Sequence, residues 1–460
     1  MTGATDEFLR ALSQDRADRA KELLDAHPEI ARFSIHTAAA VGDADAVAAS
    51  IAADPDSVSR ATLPDGMEPI IYAASRTLKQ LLGVSDEAHV ATVRVLLDAG
   101  ASANASAPLP DVSDSIPVLY FASISNAVPV VRLLLERGAQ PTDGESVYHA
   151  AQHDLPDVLA VLQEYGADLS HGLAKYGNTP LHFLAAHRAS NPISDKVVRG
   201  MLWLLEHGAD PNVPSHGAPE GHLDVDAGER PLHRAAASGF GENVMRMLID
   251  HGAVVDALRD DGVTAYALAV RAGNTSAAEI LARAGADITR LSPIDRLLGA
   301  CHTVDAAASH QVVAQQPGIL DTLTPRDREA LGNAIFDNRI DVLTLMLSIG
   351  WPLTQESDWG GTPLHWAAWN GRTDMVTLLL ERGAPVNLRD SRYGSSPIAW
   401  TCHGSLHCGR GNDLDYPAIA QLLLDAGSTR PESFNQWGEL PESMARPSVV
   451  RVLTERGFVS

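Results

Sequence analysis

Residues 361–390 read GTPLHWAAWNGRTDMVTLLLERGAPVNLRD, and their pattern decides the fold. Pro363 heads an Ala-rich run, a place where proline gives up no internal hydrogen bond because the first N–H groups of a helix have no partner in it. After a turn, DMVTLLLERG (374–383) repeats its apolar residues at helical spacing. Gly383 then supplies the left-handed residue that ends a helix. The stretch predicts a short helix, a turn and a longer helix.

The ending recurs along the chain. LLDAGASAN (96–104), LLERGAQP (134–141), LQEYGADL (162–169), LLEHGADPN (204–212), LIDHGAVVD (248–256), LARAGADIT (281–289) and LLDAGSTRP (423–431) share it with LLERGAPVN (379–387). Their glycines are Gly100, Gly138, Gly166, Gly208, Gly252, Gly285, Gly427 and Gly383. Gly252 and Gly285 stand one period of about 33 residues apart, the mark of a repeat array. Weaker copies lie near His27, Asp54, Gln316, Gly350 and Gly457, giving about thirteen units in all. Small alanines in the first helix let neighbouring units stack closely, and branched residues of the second fill the layer between them.

With Thr-Pro-Leu-His at 362–365, and its relatives NTPLHFLAAH (178–187) and ERPLHRAAASGFGENVMRMLIDHGA (229–253), the chain resembles the ankyrin-repeat family. The resemblance implies an all-α solenoid of stacked helix-turn-helix units with hairpin-like fingers, used mostly to bind proteins through a concave face. It also gives His182, His233 and His365 a structural role, bonding the backbone of the neighbouring hairpin. Pro180, Pro231 and Pro397 fit the same first-turn position as Pro363. The chain divides into degenerate capping repeats at 1–60, repeats with insertions at 61–290, degenerate helical repeats at 291–350, and aromatic-rich repeats with a C-terminal cap at 351–460. The absence of the Thr-Pro-Leu-His motif from 1–60 and 290–350 leaves hairpin geometry open there.

Charge and composition narrow the partners. The 35 Lys and Arg against 58 Asp and Glu give a net charge of -23, which repels phosphate backbones and anionic lipid headgroups. No nucleic acid and no membrane partner are expected. No run of about 18 uncharged apolar residues occurs, and the three cysteines, Cys301, Cys402 and Cys408, are too few and odd in number for a disulfide framework. A soluble, cytoplasmic protein follows.

Long insertions map to loops on one face of a repeat array. They fall at RTLKQLLGVSDEAHV (76–90), HRASNPISDKV (187–197), SHGAPEGHLDVDAGERP (215–231) and CHGSLHCGRGNDLDYPA (402–418), each of the first, second and last separating the two helices of a unit. The finger at 215–231 holds His216, His222, Asp224, Asp226 and Glu229, but lacks the run of oxygen ligands and closing Glu of a calcium loop. It is read as a solvated loop, with protein contact second. In 402–408 the pairs Cys402/His403 and His407/Cys408 are each adjacent, which is awkward for a tetrahedral zinc. Cys402 reads as a small buried residue. Cys408 has no third group to orient a neighbouring His as its base. GRGND (409–413) lacks the strand and glycine spacing of a phosphate loop.

Five of the seven tryptophans, Trp351, Trp359, Trp366, Trp369 and Trp400, fall within 351–400. Trp366 and Trp400 occupy the same register position in successive units and are expected to stack in the groove between them. Asp358, Trp359, Trp369, Asn370, Tyr393 and His403 are expected to line a binding surface on the concave face, with aromatic anchors of the kind that dominate hot spots. The competing reading makes Trp359 and Trp369 filler beside the 402–418 insertion.

The leading function is a non-catalytic scaffold that binds a protein partner, with a basic partner favoured by the charge. One alternative is an enzyme or small-molecule binder, for instance of carbohydrate, using the Trp-rich groove. The other is an acidic immunity or inhibitor protein that masks a basic partner. No nucleophile, metal or cofactor motif is complete, so no catalytic residue, metal ligand or cofactor is assigned.

Overall fold

Thr362 caps the helix Pro363–Trp369, and His365 reaches back to it: the Thr362 N–H donates to His365 Nδ1 at 3.1 Å. With Nδ1 accepting, the neutral ring carries its proton on Nε2, which donates to the Ser395 carbonyl of the next finger at 3.1 Å. His182 repeats both bonds with the Thr179 N–H (3.2 Å) and the Glu229 carbonyl (2.9 Å). His233 does so with the Arg230 N–H (3.1 Å) and the Ala257 carbonyl (2.9 Å). One ring thus caps its own helix and fastens the following unit, the structural role expected of these residues. Burial pushes all three imidazoles down to about 4, so they stay neutral at pH 7.

The computed structural model describes residues 2–14, 16–62, 66–108, 115–170, 177–186, 194–217, 226–238, 242–358, 360–408, 414–429, 435–439 and 441–459. These residues are mostly helical, and the all-α expectation holds. They form two units, one of residues 1–235 and 243–262, the other of residues 236–242 and 263–460. Within the second, the short helix Pro363–Trp369 packs on Pro397–His407, and the longer Thr373–Glu381 packs on Tyr416–Asp425. Ala367 and Ala368 are fully buried at the close approach, and Met375, Val376 and Leu379 fill the layer beside them. Gly383, at φ +82°, ends the longer helix in the left-handed region that a side chain resists.

Past that glycine, Asn387 links one unit to the next. Its Nδ2 donates to the Gly427 carbonyl at 2.9 Å and its Oδ1 accepts the Thr429 N–H at 2.8 Å. Asn104 makes the same pair with Gly138 and Gln140, and Asn212 with Gly252 and Val254.

Where the motif decays, other side chains do its work. In 1–60 the helix pairs Thr2–Ser13 with Ala17–Ala26 and Ile35–Val41 with Ala44–Ala53 form although the second helix of each lacks a closing glycine. His27 and Asp54 end the second helices with negative φ, and the 3-10 turns Pro28–Arg32 and Pro55–Ser59 follow. Tyr148 takes the histidine's place in the helix Ser146–Gln152 and donates its hydroxyl to the Asn178 carbonyl at 2.6 Å. In 291–350 the hydroxyl cap and the proline persist but aspartate stands in place of the histidine: Ser292-Pro-Ile-Asp295 and Thr324-Pro-Arg-Asp327. Each aspartate accepts its N-cap N–H, from Ser292 at 2.6 Å and Thr324 at 3.0 Å. A carboxylate has no proton to donate to the next unit's carbonyl. Arg271 makes the link instead, its guanidinium pairing with both Asp295 and, at 3.0 Å, Asp327.

Two insertions differ from simple loops. The stretch 76–90 contains the helix Thr77–Leu81 and the Ser85 cap of Asp86–Asp98. It caps the end of Pro69–Ala74: Lys79 Nζ donates to the Tyr72 and Ser75 carbonyls (3.0 and 2.9 Å), and His89 Nε2 bonds the Ala73 carbonyl at 2.8 Å. Burial pushes the Lys79 ammonium down to about 7. The second is a correction. Residues 402–407 are not a linker but the continuation of the helix Pro397–His407, which ends at Cys408. One finger is a true hairpin, Ser106–Pro108 pairing antiparallel with Ser115–Pro117.

Candidate functional site

In the second unit the fourth residues of Pro363–Trp369 and Pro397–His407 are Trp366 and Trp400, and Phe336, the last residue of the helix Pro325–Phe336, extends them into an aromatic row. Trp366 lies 5.0 Å from Trp400 in an edge-to-face contact and 5.1 Å from Phe336. Both tryptophans are buried, as groove packing requires. Trp369, half-buried at the end of Pro363–Trp369, meets Trp400 at 6.1 Å and the His403 ring at 4.9 Å. Gly404 makes this approach possible, because a Cβ there would lie 2.5 Å from the Trp369 carbonyl oxygen. Tyr416 then donates its hydroxyl to that same oxygen at 2.9 Å.

A finger completes the surface. The buried Asp390 carboxylate accepts the backbone N–H groups of Arg392 (3.0 Å), Tyr393 (2.6 Å) and Ser395 (2.9 Å), and the indole N–H of Trp400 (3.0 Å). That wrap places the Tyr393 ring 5.9 Å from Trp400 and 6.1 Å from Trp437, with the Arg392 guanidinium 5.5 Å over it. Trp437 is 64% exposed, an unusual cost for an indole left in water.

The expected site residues therefore separate. Trp369, Tyr393 and His403 come together around Trp400, with Trp437 beside Tyr393. Asp358 is exposed, and Trp359 lies outside the described residues. Asn370 is corrected: it is fully buried, its amide donates to the Trp366 carbonyl at 2.9 Å, and it offers nothing to a partner. The sequence pattern missed Trp437, which lies outside the 351–400 cluster, and Asp390, whose role depends on folding back onto Trp400.

The other clusters are occupied by their own contacts. In the finger at 215–231, Asp226 pairs with Arg259, and Glu229 pairs with Arg234 at 2.8 Å. His222 and Asp224 lie outside the described residues, as does the run 409–413. Burial pushes the Cys402 thiol up to about 12, far from a working nucleophile. Among the described residues no three His, Cys, Asp or Glu side chains are grouped to hold a metal, and no helix is long and apolar enough to cross a membrane. A groove of about 570 Å³ in the first unit is walled by Arg76 paired with Asp86 at 2.7 Å and Arg132 paired with Glu164 at 2.8 Å. The first unit also carries a second aromatic row that the sequence did not single out. Tyr120, His149 and Phe183, all half-buried on successive first helices, meet edge to face at 5.1 and 5.3 Å.

Comparisons with known proteins agree with the helix pairs and caps. The family model "Ankyrin repeat" matches residues 176–216 and 359–391, and "Ankyrin repeats (3 copies)" matches 201–292. The chain is 31% identical to "Ankyrin repeat protein nuc-2" of Neurospora crassa over 42% of its own length and 17% of that protein's. It is 23% identical to "Transient receptor potential cation channel subfamily A member 1" of Homo sapiens, over 52% of its length and 18% of the channel's. It is 24% identical to "E3 ubiquitin-protein ligase KEG" of Arabidopsis thaliana, over 59% and 19%. The chain thus spans under a fifth of each of these relatives, and their differing names attach no single activity to the array. The Thr-Pro-Leu-His caps, the stacked helix pairs and these matches together show that the chain belongs to the ankyrin-repeat family.

Proposed function

We propose that the chain is a non-catalytic interaction scaffold that grips a protein partner through the surface formed by Trp369, Tyr393, His403 and Trp437. The observation that carries this reading is the half-buried Trp369 packed on the buried Trp400, with the exposed Trp437 beside Tyr393 on the same row of rings. Preorganised indoles lose little side-chain freedom on contact and bury a large area, the combination that makes hot spots. Asp358, exposed in the segment preceding Pro363, extends the proposed surface on the concave side of the array.

Support for a binding rather than a catalytic role comes from how polar groups are used. Asp390 already accepts four N–H groups, and Asn370 is buried. The -23 charge supports a basic partner, and the three thiols that form no disulfide support a reducing, cytoplasmic setting.

The test is affinity capture from the source cell with wild type, Trp369→Ala/Trp437→Ala and Tyr120→Ala/Phe183→Ala. Loss of one protein partner in the first double variant alone supports the reading. Retention of every partner at wild-type level in that variant removes it.

A further inference from the structure

Continuation of the helix through 402–407 changes what its histidines can do. As a linker, CHGSLHC offers two adjacent Cys/His pairs; as a helix, it places His403 and His407 four residues apart on one face. Cys402 is turned into the core and Cys408 falls at the cap, so the thiols part from the rings. Both imidazoles are exposed, with centroids 4.4 Å apart and planes tilted by 37°.

That separation has a coordination meaning. A metal bound to an imidazole nitrogen at ~2.0–2.1 Å sits about 3.2 Å from the ring centroid. Two such rings at a right angle around one ion place their centroids about 4.5 Å apart, whereas a tetrahedral bite spreads them to about 5.2 Å. We propose that His403 and His407 form a two-imidazole chelate for a divalent transition metal that accepts cis ligands at right angles, of the Ni²⁺ or Cu²⁺ type ahead of Zn²⁺. The Trp369 ring, 4.9 Å away, holds His403 in place and lowers the entropy lost on binding. Burial and then the neighbouring His407 ring hold the His403 imidazole below its usual range, which keeps it neutral for ligation, and the Glu439 carboxylate opposes them only in part. Two protein ligands leave the remaining positions to water.

The chelate is tested on the full chain without an added histidine tag, by Ni²⁺ titration in a calorimeter at pH 7.5. Ni²⁺ avoids the thiol oxidation that Cu²⁺ brings at Cys408. Wild type is expected to bind one more ion than H403Q/H407Q, and each single variant to lose at least tenfold in affinity for that ion, because a chelate needs both rings. Tryptophan fluorescence should be quenched with the same midpoint, through Trp369, in wild type only. Without metal the variants should unfold at the wild-type temperature, since both side chains are exposed. Equal Ni²⁺ binding by wild type and the double variant, or wild-type affinity in either single variant, overturns the proposal.

Discussion

The indole N–H of Trp400 donates to the Asp390 carboxylate at 3.0 Å, tying a buried ring of one helix to the finger that precedes it. Asp390→Ala strips the acceptor from four N–H groups at once. It should cost about 2–4 kcal/mol, as expected for buried donors left unpaired. Tryptophan fluorescence during urea unfolding reads this directly, because six of the seven tryptophans lie in the second unit. Asp390→Asn, which keeps an acceptor oxygen, should cost less.

Arg271 stands between two buried aspartates in units that lack the structural histidine. Arg271→Ala leaves both carboxylates without their cation and should cost about 3 kcal/mol. Arg271→Lys should recover only part of this, since an ammonium cannot fork to two carboxylates as a guanidinium does. Unfolding midpoints of the two variants, compared with wild type, decide it.

Tyr148 replaces the histidine in the first unit with a hydroxyl that reaches the Asn178 carbonyl at 2.6 Å. Tyr148→Phe removes one hydrogen bond without a cavity and should cost about 1 kcal/mol. Faster amide exchange in residues 177–186, with the rest of the first unit unchanged, is the matching local signature.

The buried histidines set a pH dependence. His182, His233 and His365 are held at about 4 by burial, against about 6.5 when unfolded. Below pH 6.5 the unfolded chain takes up protons that the folded chain refuses. Stability therefore falls from pH 6.5 to pH 4 and, for these groups, levels off below it, each contributing on the order of 3 kcal/mol. His365→Gln, though less stable at pH 7, should show a shallower slope across that window in urea titrations.

Much of this was legible in the residues themselves. The closing glycines and Thr-Pro-Leu-His caps give the helix pairs, and equal register of Trp366 and Trp400 gives their contact. The substitutions inside the motif were harder. Asp295 and Asp327 sit where histidine is expected, and only the folded chain brings Arg271, distant in sequence, between them. Length of a helix was also hidden: Gly404 and Ser405 suggest a loop, yet Gly404 is needed for contact with Trp369, so the helix runs on to His407. Asn370 looked like a surface residue by position, but its amide folds back onto the Trp366 carbonyl and is sealed in. Trp437 carried no periodic signal, and its place beside Tyr393 depends on the Gln436 N–H bonding the Tyr393 carbonyl at 2.9 Å.

The central claim is that a partner docks on the surface around Trp369, Tyr393, His403 and Trp437. Amide hydrogen exchange of the chain, alone and in complex with a captured partner, tests it most directly. The account predicts protection concentrated at 366–370, 391–394, 400–408 and 435–439. Protection confined to 118–124, 146–152 and 180–184, the second aromatic row, with none around Trp369, would contradict it.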